Sequence, residues 1–198
     1  MDKEFLHLWY VKERKSAHGI AAKLQCSEGK INYWLSKFGI AKRSISEAVY
    51  AYRNPNGDPF LSRAPQNKDE AFLFGLGIGL YWGEGTKKNL TAVRLGNTDP
   101  FLVRTFLLFL RRFYGIDNSR LRFAIQIFTD MDQKKEEKFW RDFLNVDAEQ
   151  FYKTINTRSG SIGTYRVKSE HGVLTIYFNN KKLRDLLIGE IEKMKNLR

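Results

Sequence analysis

Along residues 5–40 apolar side chains recur at three- and four-residue steps with no strand-like alternation, and the spacing predicts a run of helices. The pattern stops in "RNPNGDPFLSRAPQNK", residues 53–68, where three of the chain's four prolines stand among Asn, Gly and Asp. That composition disfavours helix and predicts a linker. Beyond it the periodicity predicts a helix over 69–84, a strand over 91–96 and a helix from Pro100, with Asp99 as its cap and proline at its first position, where the missing N–H costs nothing. A strand over 121–128, a helix over 133–144 and two strands over 150–156 and 165–178 follow, the last with a turn at His171-Gly172, before a closing helix from Asn180. The expected class is α+β: a helical domain over 1–52, a linker over 53–68, and a second domain over 69–198 with a mixed or antiparallel sheet. No internal repeat or low-complexity tract interrupts this order.

Within the first helical run, "SAHGIAAKLQCSEGKINYWLSKFGI" has helix-turn-helix spacing. Ile20, Ala21 and Leu24 share one face of a short helix, and Ile31, Trp34 and Leu35 one face of the next. Gln25-Cys26-Ser27 makes the turn between them, and Ser27 caps the second helix. Glu28, Lys30, Asn32 and Tyr33 then project from the start of that helix, offering the donors, acceptors and ring that a helix in the major groove presents to bases. Lys37, Lys42 and Arg43 follow as phosphate or minor-groove contacts. The segment resembles the short helix-turn-helix modules of resolvases and of some homing endonucleases.

Charge agrees with that reading. The 198 residues carry a formal net charge of +12, which points to a polyanionic partner, with duplex DNA first. A membrane is not expected, because no run of about 18 uncharged apolar residues exists. The opening Met1-Asp2-Lys3-Glu4 does not resemble a signal peptide, and the single Cys26 allows neither an internal disulfide nor a cysteine-based zinc site, so an intracellular, cytoplasmic protein is expected. His7, His18 and His171 have no ligand spacing, and no zinc site is expected from them.

The second domain opens on "FLFGLGIGLYWGEGTK". On a helix, Gly75, Gly79 and Gly83 recur every four residues on one face, each costing about 1 kcal/mol relative to alanine. Such a bare face suits close approach of a second backbone, and the simplest partner is the same helix of a second copy, giving a homodimer. Phe72, Phe74, Tyr81 and Trp82 are expected in the core. A two-fold axis would bring two Glu84 carboxylates together, and these repel unless cations lie between them. Mg²⁺ or Mn²⁺ would meet that need and would serve phosphodiester hydrolysis.

"GLYWGEG", residues 79–85, resembles the second part of the LAGLIDADG motif of homing endonucleases. The resemblance implies that Gly79 and Gly83 are the small interface positions, that Glu84 with the adjoining Gly83 forms the metal site, and that Gly85 is the terminal glycine. It further implies an αββαββα plan over most of 69–195 and a basic residue near the attacked phosphate, for which Lys153 is the candidate and Lys168 an alternative. Lys87 and Lys88, just beyond the motif, are added as DNA contacts. Gly77 and Ile78 stand where the family usually has Leu and Ala, and Trp82 where it often has an acid. The function so implied is a homodimeric, sequence-specific DNA endonuclease using Mg²⁺ or Mn²⁺, with Glu84 and Lys153 catalytic. Two alternatives stay open: a LAGLIDADG-derived transcriptional regulator that has lost cleavage, as in bacterial sporulation regulators, or an RNA-binding maturase.

Overall fold

The computed structural model describes residues 1–159 and 169–196. The chain divides into two compact units, Met1–Pro59 and Phe60–Arg198.

The first unit is helical. Helix α1 (Lys3–His7) runs on into a π-helical turn over Leu8–Lys12, followed by α2 (Ala17–Lys23), α3 (Glu28–Lys37) and α4 (Ile45–Arg53). Serines start the last three: Ser16 accepts from Gly19 N–H, Ser27 from Lys30 N–H, and Ser44 from Glu47 N–H, while the Glu47 carboxylate returns to Ser44 N–H in a capping box. The α2–α3 turn is the expected one, with Gln25 in the left-handed region at φ 50°. Leu6, Tyr10, Ile20, Ala21, Ile31, Leu35 and Ile40 form the core, with Trp34 partly buried against it. Leu24 is instead exposed at the end of α2.

The second unit is α+β. Helix α5 (Lys68–Glu84), strand β1 (Val93–Asn97), helix α6 (Pro100–Tyr114), strand β2 (Leu121–Phe128), helix α7 (Gln133–Leu144), strands β3 (Ile155–Thr157) and β4 (Val173–Phe178) and helix α8 (Lys181–Lys195) follow in order. Asp99 caps α6 through the N–H groups of Phe101 and Leu102, with Pro100 at its start. That start, with the buried stripe of Val103, Phe106, Leu107, Leu110 and Phe113, makes residues 100–114 a helix between the first two strands. The described order is therefore αβαβαββα, with a helix where an αββαββα plan has a hairpin. The strand expected over 150–156 is shorter and later, because a 3₁₀ turn, Ala148–Gln150, precedes it. The strand expected over 165–178 lies partly on 160–168, outside the described residues; its described part is β4, after a turn in which Gly172 has φ 69°.

The four described strands form a mixed sheet in the order β1-β4-β2-β3, antiparallel except for the parallel pair β2 and β3. Burial alternates along it. Leu95, Ile176 and Phe123 lie in one cross-strand row on the buried side, sharing a core with α5, α6 and α8. The α5–α6 crossing needs Gly77: a Cβ there would run into the Phe109 ring. Residues 60–67 are tied to this unit, since Leu61 and Arg63 N–H bond the Tyr114 and Phe113 carbonyls at 2.8 and 2.9 Å, and Arg63 and Arg112 both pair with the buried Glu70. Tyr81 is buried and Phe74 packs on Phe109 and Phe113 as expected, but Phe72 and Trp82 are 74% and 43% exposed, because α5 buries only the arc facing α6 and the sheet. Among the described residues no helix is long and apolar enough to cross a membrane.

Candidate nucleic-acid interface

In the first unit, burial of Ile31 and Leu35 fixes the rotation of α3 and turns Glu28, Lys30, Tyr33 and Lys37 outward, with Asn32 half-buried at their side. Tyr33 is 58% exposed, its ring edge-on to Trp34. The Lys37 ammonium lies 4.7 Å from the Trp34 ring centre, which holds its charge beside that face. Glu28 stands 3.7 Å from His18 Nδ1, bridging the starts of α2 and α3. Lys42 is exposed. Arg43 is committed to the fold: it donates from Nη1 to the Lys15 carbonyl at 2.8 Å and from Nη2 to the Tyr10 carbonyl, while its own N–H bonds the Tyr10 hydroxyl at 3.0 Å. Burial lowers the pKa of its guanidinium. The sequence identified Arg43 by charge and could not show partners about thirty residues earlier.

In the second unit, the sheet side turned from the core carries residues that the sequence reading did not assemble. Register places Arg94, Tyr177 and Arg122 in one row across β1, β4 and β2, and Gly96, Thr175 and Ala124 in the next. The Arg94 guanidinium lies 5.0 Å over the Tyr177 ring, and Tyr152 meets that ring edge-on at 5.6 Å. Strand alternation revealed which residues share a face; the row itself required knowing that β4 inserts between β1 and β2.

Lys153 is exposed one residue past Tyr152, whose N–H bonds the Phe123 carbonyl on the β3 side of β2. Glu84 precedes Gly85, which bridges to Leu95 at the free edge of β1. Four strand spacings separate these two backbone positions, about 19 Å, so a single chain does not bring Glu84 and Lys153 together. Lys168 lies outside the described residues.

Helix α5 presents an apolar outer face. Residues 71–83 contain no charged side chain, and a Cβ built on Gly75, Gly79 or Gly83 would meet nothing within 4 Å. Phe72, Leu76 and Trp82 flank this bare strip and are exposed. The carboxylate of Glu84, at its end, is exposed and makes no hydrogen bond or ion pair among the described residues. Lys87 turns back over the same helix end, donating from Nζ to the Trp82 carbonyl at 2.6 Å and to the Gly83 carbonyl at 3.4 Å. Lys88 is exposed beside it.

The LAGLIDADG resemblance implies Mg²⁺ or Mn²⁺ at Glu84 and Gly83, and the residues present do not fit one. A hard divalent ion seeks about six oxygen ligands. Two paired chains would offer two Glu84 carboxylates, a number that Mg²⁺ accepts together with waters, but the carbonyls of Trp82 and Gly83 beside them already accept from the Lys87 ammonium, which would repel the ion. Among the described residues no group of three or more His, Cys, Asp or Glu side chains gathers to hold a metal. Comparison of the chain with protein-family models, with curated proteins and with solved structures returned no match.

Proposed function

We propose that the protein is a sequence-reading DNA-binding protein that works as a homodimer. The observation that carries the reading is the α2–turn–α3 arrangement, in which a buried apolar stripe fixes α3 and aims Lys30, Tyr33 and Lys37 at solvent from one face. Such a helix, entering the major groove from its N-terminal end, meets base edges with Asn32 and Tyr33 and phosphates with Lys30 and Lys37. The net charge of +12 supplies the attraction common to all sequences. The row Arg94–Tyr177–Arg122 adds a second basic and aromatic surface in the other unit. The outer face of α5 is the seat of the second copy, since an uncharged strip with bare glycines favours a backbone crossing at short distance.

Fluorescence anisotropy on labelled duplexes tests this reading. Tyr33→Ala is expected to bring affinities for preferred and scrambled duplexes together, whereas Lys30→Ala weakens both alike. Equal loss on both duplexes in Tyr33→Ala would count against base reading by α3.

The second reading is the LAGLIDADG-like endonuclease. The free carboxylate of Glu84 at the end of the apolar α5 face favours it, while the helix between β1 and β2 and the Lys87 ammonium count against it. Cleavage of a selected site with Mg²⁺ or Mn²⁺, abolished by Glu84→Gln, would establish the nuclease. Tight specific binding without cutting would establish the regulator.

A further inference from the structure

Paired Glu84 carboxylates pose a charge problem, and the structure contains a solution to it other than a metal. A helix C-terminus carries roughly half a negative charge, and Glu84 adds a full one, so two such ends at a two-fold axis would place about three negative charges together. We propose that the cation neutralising this site is the Lys87 ammonium of each chain, and that it excludes divalent metal from the Glu84 end of α5. The inference rests on the reading of the α5 outer face as the seat of a second copy.

Three observations carry it. First, the Lys87 ammonium is bonded to the Trp82 and Gly83 carbonyls, the backbone oxygens beside Glu84 that a metal would need. Second, the lysine is held there by its backbone. Gly85 bridges to Leu95, Thr86 N–H bonds the Arg94 carbonyl at 2.9 Å, and the Lys87 carbonyl accepts from Arg184 Nη2 at 2.7 Å. A tethered cation acts at a high local concentration, which a free ion at millimolar concentration must overcome while losing its own water. Third, a further cation lies close by: the Lys195 ammonium is 6.0 Å from the Trp82 ring centre, while Arg184, anchored on the Lys87 carbonyl, is itself paired with Asp185 at 3.0 Å. One lysine per chain lowers the charge at the paired ends from about −3 to about −1, so the helices can approach with no ion between them. The Glu84 end is then a dimer contact with no cleavage chemistry of its own.

The test uses Tb³⁺ as the probe, with luminescence sensitised through tryptophan and Mg²⁺ as competitor. Compared with the unmodified chain, Glu84→Gln is expected to leave the Tb³⁺ signal unchanged. Lys87→Met is expected to gain a Mg²⁺-displaceable site at least ten-fold tighter, which Lys87→Met combined with Glu84→Gln loses; Lys87→Arg keeps the charge and gains none. A Glu84-dependent, Mg²⁺-displaceable signal in the unmodified protein would overturn the proposal, and that comparison needs no Lys87 variant to fold. Absence of any gain in Lys87→Met with an intact circular dichroism spectrum would overturn it as well. Sedimentation separates the two readings. The unmodified protein is expected to stay dimeric in EDTA, with Lys87→Met dimerising only when a divalent ion is added. A monomer under every condition would remove the second copy, while the Tb³⁺ comparisons would still decide what Lys87 does.

Discussion

Glu70 lies buried under two arginines, and its ionisation ties the start of α5 to residues 60–67 and to α6. Hydrogen bonds from Arg63, from Gln66 N–H and from Arg112 hold its carboxyl at about 2, below the ordinary 4.5. A carboxyl lowered on folding stabilises the native state fully above its unfolded pKa and loses that contribution as pH falls toward its folded one. Thermal melts are therefore expected to fall between pH 4.5 and 2, and Glu70→Gln should lower the melting temperature at pH 7 while flattening that part of the profile. An unchanged profile would show that the clamp does not contribute to stability. Arg43 gives the complementary case. Its loss removes hydrogen bonds from a charged donor to two carbonyls, so Arg43→Ala should destabilise the first unit by about 2 kcal/mol in urea unfolding, whereas Lys42→Ala leaves stability unchanged. Local chemistry was legible at this scale: Ser27, Asp99 and the turn at Gln25 act as their sequence neighbours require. Partners distant in sequence were not legible, which is why Arg43 and Lys87 read as free phosphate contacts before their carbonyl acceptors were known.

At the scale of elements, α5 contains two kinds of glycine that composition alone does not separate. Gly77 meets Phe109 across the α6 crossing, while Gly79 faces open space. Gly77→Ala is expected to destabilise the second unit by about 1–3 kcal/mol through overpacking, measured by chemical denaturation. Gly79→Ala should leave the isolated fold intact or raise its stability by up to about 1 kcal/mol through helix propensity, while Gly79→Leu weakens self-association in sedimentation. Equal destabilisation by Gly77→Ala and Gly79→Ala would contradict the assignment of the two faces. The four-residue repeat made the outer strip visible in the sequence, but Gly77 falls outside that repeat, on the side that carries Phe74 and Tyr81. Helix α4 lies beyond the predicted helical run because linker composition follows it directly, although Ser44 and Glu47 at capping-box spacing mark its start. Strand pairing was beyond the pattern, since alternation assigns faces and not neighbours, and the row Arg94–Tyr177–Arg122 depends on neighbours.

The whole molecule joins a unit built on the α2–α3 pair to an α+β unit with a basic, aromatic sheet face and an apolar helix face, and both units carry excess positive charge. An electrostatic footprint of this kind makes affinity fall steeply with salt, and each lysine lost from a phosphate contact reduces the slope of log affinity against log salt by about 1. Lys30→Ala is expected to show that reduction in the first unit. A slope near zero for the unmodified protein would remove the electrostatic basis of the account. The most direct test of the central claim is selection from a randomised duplex library by the whole 198-residue chain at physiological salt, repeated with Tyr33→Ala. The account predicts enrichment of a two-fold-related sequence by the unmodified protein and loss of that enrichment in the variant. Recovery of no preferred sequence, or of the same sequence with and without the Tyr33 ring, would contradict it.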